Sequence, residues 1–126
     1  MNNLFIFGML AFLIKHFICD FLLQNAYQLQ NKGTYGHPGG LLHAAIQMVG
    51  TFFALIFFFS FEIVLLCSVI DGVVHYHIDW IKYNINRYFN LKPTGENHYR
   101  FWALFGCDQL LHQMTYVLLL TLAIMW

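Results

Sequence analysis

The stretch IVLLCSVIDGVVHYHIDWI, residues 63–81, decides the fold. It is close to the ~20 apolar residues a helix needs to cross the hydrocarbon of a bilayer. Near its end stand His75 and Asp79. Residues four apart share a helix face, so both side chains point one way. Ionisable groups at membrane depth are costly and mark functional positions.

The same device recurs on either side. A first apolar segment, from about Leu4 to Leu23, carries His16 and Asp20. A second, from about Leu41 to Phe61, carries His43 with Gln47. A fourth, from about Phe101 to Trp126, carries Asp108 and His112. Between the first and second lies a polar stretch, Gln24 to Gly40, ending in Gly36-His37-Pro38-Gly39-Gly40, a loop signal. Glu62 and its neighbours leave room only for a tight turn. Lys82 to Arg100 forms a second polar stretch with Pro93 and Gly95. The run Phe57-Phe58-Phe59 is β-prone, but lipid demands internally satisfied backbone bonds, so lipid-facing helix is expected there. The expectation is all-α: one integral-membrane four-helix bundle over residues 1–126, with helices near 4–23, 41–61, 63–81 and 101–126 and two longer loops on one side.

Composition agrees with lipid as solvent. The 126 residues are 60% hydrophobic and 10% charged, with mean hydropathy +0.60. A soluble domain carries about 25% charged residues. Zero formal net charge gives no footing for nucleic acid. Cys19, Cys67 and Cys107 lie in apolar runs without CxxC spacing, and their odd number argues against a closed disulfide framework. The start, Met1-Asn2-Asn3, lacks the basic stretch and cleavage site of a secretory signal, so the first segment is expected to be a retained membrane helix. Lys32, Lys82, Arg87, Lys92 and Arg100 all fall in or beside the two long loops. The positive-inside rule puts those loops in the cytoplasm and both termini on the other side. Trp80, Tyr83, Tyr99 and Trp102 suit the cytoplasmic interface, and Trp126 the opposite one.

Every polar pair then lies toward the loop end of its helix, within ~15 Å of depth by helix rise. Four helices can turn such faces inward on one ion, as bundle metal proteins do. The candidate ligands are His16, Asp20, His43, His75, Asp79, Asp108 and His112. Neutral imidazole with carboxylate suits a divalent ion, Zn first, Mn or Fe as alternatives. Asp20, Asp79 and Asp108 are the candidate catalytic carboxylates, able to orient a histidine or take a proton. Lys32 and Lys82, with Gln24 and Gln109, flank the cluster and can hold a substrate head group; basic residues snorkelling to the interface are the ordinary alternative. Asp71, one turn before His75, is either a deeper ligand or relay or a structural hydrogen-bond partner. His77 is expected at the interface, and His37 and His98 in solvated loops. Ser68 and Gly72 form a small-xxx-small pair, expected to mark a close helix contact.

These residues also carry a family resemblance. His16-Phe17-Ile18-Cys19-Asp20-Phe21-Leu22-Leu23-Gln24, Leu41-Leu42-His43, His75-Tyr76-His77-Ile78-Asp79-Trp80-Ile81-Lys82 and Asp108-Gln109-Leu110-Leu111-His112 resemble a family of small phage and bacterial integral-membrane proteins of unknown function. Its ordered pattern is HxxxDFxLQ, a loop lysine matched by Lys32, LLxH, HxxxDxxK and DQxxH. The resemblance implies a phage or bacterial source and an integral-membrane setting, which with the loops in the cytoplasm makes the bacterial inner membrane the expected location, and it leaves the reaction to be argued from the residues.

The expected function is a metal-dependent hydrolase acting on a lipid, a lipid-linked intermediate or a membrane-embedded peptide at the cytoplasmic leaflet, as a monomer or homodimer. A haem-binding electron carrier is the first alternative, since one histidine per helix can supply axial ligands. A proton relay and a non-catalytic phage lesion or interaction protein are the others.

Overall fold

A computed structural model describes residues 2–126; Met1 and the side chain of Asn2 lie outside the described residues. Five α-helices follow in order: α1 (Asn2–Phe17), α2 (Ala26–Asn31), α3 (Pro38–Leu55), α4 (Phe61–Tyr88) and α5 (His98–Met125). A π-helical turn, Ile18–Leu22, continues α1. Among the described residues there is no strand. Three helical segments, Asn3–Leu22, Pro38–Leu55 and Phe61–Tyr88, are long and apolar enough to cross a membrane. The fourth expected span, in α5, is not among them, although α5 matches α4 at 28 residues. Asp108, Gln109, His112 and Gln113 interrupt its apolar run.

Several boundaries differ from the sequence expectation, each for a local reason. The first polar stretch contains the short helix α2, whose N-cap Asn25 accepts a hydrogen bond from the Gln28 backbone N–H at 3.0 Å. α3 starts earlier, with Pro38 in its first turn and the His37 ring Nδ1 accepting from the Gly39 N–H. It stops at Leu55, so Phe57-Phe58-Phe59 lies in the turn to α4 and not in a helix. That turn tightens onto one carbonyl, with Phe58 and Phe59 both donating to Leu55 O. α4 outruns its apolar stretch to Tyr88 because its polar continuation is tied down: Asn84 Nδ2 donates to Gly33 O at 3.1 Å. The same bond ties the first long connection to the end of α4.

α1 packs on α3 and α5, α3 on α4, and α4 on α5, while α2 lies against α3. Gly72 permits the α3–α4 approach, since a Cβ there would sit 2.1 Å from Met48 Cγ. Ser68 is buried one turn before it, so the small pair does mark a close contact. Burial is inverted relative to a soluble protein. Leu10, Ile14, Phe53, Leu65, Val73 and Leu118 are exposed, whereas Lys15, His16, Asp20, His43, Asp71, His75, Asp79, Asp108 and His112 are buried. An apolar core fills the half of the molecule away from the long connections: Phe12, Leu55, Ile63, Val64, Cys67, Tyr116, Leu119, Leu120 and Ala123. The buried histidines occupy the other half.

Candidate metal centre

α3 and α4 bring His43 and His75 face to face, with Nε2 atoms 3.1 Å apart. The π-helical turn delivers Asp20 to the same point: Oδ1 lies 2.9 Å from His43 Nε2 and 3.3 Å from His75 Nε2. Such turns inside α-helices are frequent at functional sites. Asp79, one turn beyond His75, closes the set, with Oδ2 at 3.3 Å from His43 and 3.4 Å from His75. These four buried residues each offer a donor atom within 4.8 Å of the others, close enough to hold one metal ion.

A second group adjoins the first through Asp79. Asp79, Asp108 and His112 also meet within 4.8 Å. His112 Nε2 lies 3.4 Å from Asp108 Oδ1 and 3.7 Å from Asp79 Oδ1. The His75 and His112 rings stack at 4.0 Å.

The donor set fits a cation. His43 Nδ1–H donates to Gln28 Oε1 at 3.1 Å, which leaves the lone pair of Nε2 facing the carboxylates. This is how outer hydrogen bonds orient metal-binding imidazoles. The two imidazoles and two carboxylates would hold a cation placed among them with one donor atom each. Asp108 Oδ1 and His112 Nε2 are buried without a hydrogen-bond partner, a condition that costs about 1–3 kcal/mol per group. Lys32 Nζ, 2.7 Å from Asp79 Oδ2, and Lys82 Nζ, 3.2 Å from Asp108 Oδ2, neutralise part of the charge. Imidazole nitrogen with carboxylate oxygen is a donor set for Zn, Mn or Fe.

His16 stands apart from the expected ligand set. Its Nε2–H donates to Gln109 Oε1 at 2.9 Å, and its Nδ1 accepts from the Tyr116 hydroxyl at 2.7 Å. Asp20 Oδ2 is a further 3.4 Å contact, but neither metal-capable group includes His16. Gln109 also donates to Asp108 Oδ2, so a chain of polar contacts runs from Tyr116 through His16 and Gln109 to Asp108. Gln24 donates to the Asp20 carbonyl. Gln24, Lys32, Lys82 and Gln109 line a cleft of about 280 Å³ whose floor includes Asp20, Asp79 and Asp108.

Asp71 belongs to a separate buried cluster. Lys15 Nζ and Thr51 Oγ1 both lie 2.6 Å from its Oδ2. Sequence reasoning missed Lys15, although a buried acid in an apolar run requires a partner and Lys15 is the one lysine or arginine inside the first segment. It also missed Gln28, Tyr116 and Thr51, which carry no signal of their own in the sequence. Cys19 and Cys67 are buried free thiols off the ligand faces, contacting the carbonyls of Ile46 and Leu119. His77 is exposed and bonded to Tyr35, and His98 is exposed at the start of α5.

The chain belongs to a defined protein family. Residues 9–126 match the family profile described as "Protein of unknown function (DUF3307)". No curated protein and no solved structure matches it. One motif departs from the pattern expected of the resembled family: Leu41-Leu42-His43 has no residue between the leucines and the histidine.

Proposed function

We propose that this protein is an intramembrane metal-binding hydrolase, acting on a lipid, lipid-linked or membrane-embedded substrate at the leaflet next to its long connections. The observation that carries the proposal is the meeting of Asp20, His43, His75 and Asp79 inside a helical assembly of which three helices are long and apolar enough to cross a membrane. The chain works as a single four-helix transmembrane domain, as a monomer or homodimer. The basic residues of the connections support an orientation with that end in the cytoplasm of a bacterium, and a phage is the alternative source of the chain.

A bound divalent ion supplies Lewis acidity and lowers the pKa of water toward neutrality. The chain's own residues do the rest. Lys32 and Lys82 line the cleft and hold an anionic head group over Asp79 and Asp108. In hydrolysis the oxygen of water bonds to the carbonyl or phosphoryl centre and the bond to the leaving oxygen breaks. One of Asp20, Asp79 and Asp108 takes the proton of that water and returns it to the leaving oxygen. Gln109 and His16 hold Asp108 in place. A haem carrier is disfavoured by the geometry: imidazole nitrogens 3.1 Å apart, with carboxylates against them, leave no plane for a macrocycle.

Elemental analysis of the protein purified in detergent tests the proposal. Wild type is expected to hold or take up Zn, Mn or Fe. Asp79→Asn keeps the shape, removes the charge, and is expected to lose the metal with helical circular dichroism unchanged. Wild type that neither carries nor takes up a divalent ion would overturn it.

A further inference from the structure

The geometry points to a dinuclear centre in which the Asp79 carboxylate bridges two metal ions that receive unequal numbers of protein donors. The inference deepens the metal-binding proposal above and rests on it.

The two oxygens of Asp79 face different partners. Oδ2 lies against His43 and His75, and Oδ1 lies toward His112. One carboxylate is thus shared by two donor groups, Asp20–His43–His75–Asp79 and Asp79–Asp108–His112. A single ion cannot use both. The first group already supplies the four donors that complete a tetrahedral shell. It leaves Asp108 Oδ1 and His112 Nε2 buried and unpartnered, beside Asp79. A cation between them satisfies both atoms, which otherwise have only each other at 3.4 Å.

The two positions differ in how many donors the protein gives them. The first group has no donor place to spare, and its Asp20 and Asp79 line the cleft. The second offers three protein donors, the number that leaves a coordination position open in catalytic zinc sites. Two of them, Asp79 and Asp108, line the cleft alongside Lys32 and Lys82. The four-donor ion is therefore a structural and electrostatic anchor, and the three-donor ion keeps a position for substrate. Paired ions of this kind clamp the attacking and leaving oxygens of a displacement. Together with two lysines at the mouth, this selects a phosphate-bearing head group over a neutral ester.

Metal stoichiometry decides the matter, read on the full-length chain in detergent and in nanodiscs. Wild type loaded with Zn is expected to retain two equivalents after desalting. His112→Gln is expected to retain one, His43→Gln to bind at most one and more weakly, and Asp79→Asn to retain neither. Wild type loaded with Mn is expected to show the exchange-coupled paramagnetic resonance spectrum of a pair, replaced in His112→Gln by that of an isolated ion. The resonance measurement needs no variant, so misfolding of His112→Gln leaves the test intact. One equivalent in wild type with an isolated-ion spectrum would overturn the dinuclear centre and leave the metal-binding proposal standing. No retained metal at all would overturn both.

Discussion

The two halves of this molecule use the same four long helices in opposite ways. In the half away from the long connections, Phe12, Leu55, Ile63, Val64, Leu119 and Leu120 form an apolar core. In the other half the same helices bury His16, Asp20, His43, His75, Asp79, Asp108 and His112. Tyr116 spans the boundary: its ring stacks on Phe12 at 4.6 Å and its hydroxyl bonds to His16. Close packing satisfies itself, whereas a polar interior does so only when every donor and acceptor finds a partner. The apolar half supplies the rigidity that lets the polar half hold charges no lipid-exposed helix would tolerate. The difference teaches that stability and chemistry are segregated along the helix axes.

Perturbing each half in turn should break or sharpen this contrast. The largest effect is expected at the border. Lys15→Met leaves Asp71 buried without its cation, and losing one partner of such a pair costs about 3–5 kcal/mol. Lys15→Met combined with Asp71→Leu should recover much of that, measured by denaturant titration in mixed micelles; equal losses in single and double variants would show that the pair is not what holds this region. Next, Leu120→Ala, in the fully buried core, should destabilise by about 2–5 kcal/mol. Its metal content should match wild type, because the cavity lies in the other half; a drop in bound metal would show the halves to be coupled. Removing metal with a chelator should lower wild-type stability by about 2.7 kcal/mol relative to protein held at a hundredfold excess over Kd. Asp79→Asn should not respond to the chelator, and an equal shift in both would place the metal elsewhere. The smallest effect is expected for Tyr116→Phe, which removes the hydroxyl bond to His16 and keeps the ring on Phe12. It should cost about 1 kcal/mol without changing metal stoichiometry, and loss of an equivalent would make His16 a ligand after all.

Much of this contrast can be read along the chain. His75 with Asp79 and Asp108 with His112 announce themselves by helical spacing in apolar runs, and both pairs meet in the structure. His16 with Asp20 has the same spacing, yet its histidine turns to Tyr116 and Gln109. Spacing reports a shared face and says nothing about what stands opposite. The π-helical turn around Asp20 left no mark in the residue pattern, and the Lys15–Asp71 pair joins residues 56 positions apart. The turn at Phe57–Phe59 departs from the helix expected there because hydrophobicity records only the solvent, and aromatic residues at a helix end are as apolar as those within it.

What the sequence alone determined is local: helix-length apolar segments, the residue types able to bind a metal, the helix face each occupies and the end toward which they lie. These follow from a 3.6-residue period and the free energy of transfer into lipid, both properties of a single helix. Tertiary structure alone decided which faces meet, that Asp79 stands between two donor groups, and that Lys15 answers Asp71. The rotation of one helix against the next is set by packing, Gly72 against Met48 and Tyr116 against Phe12, and no segment contains that information by itself.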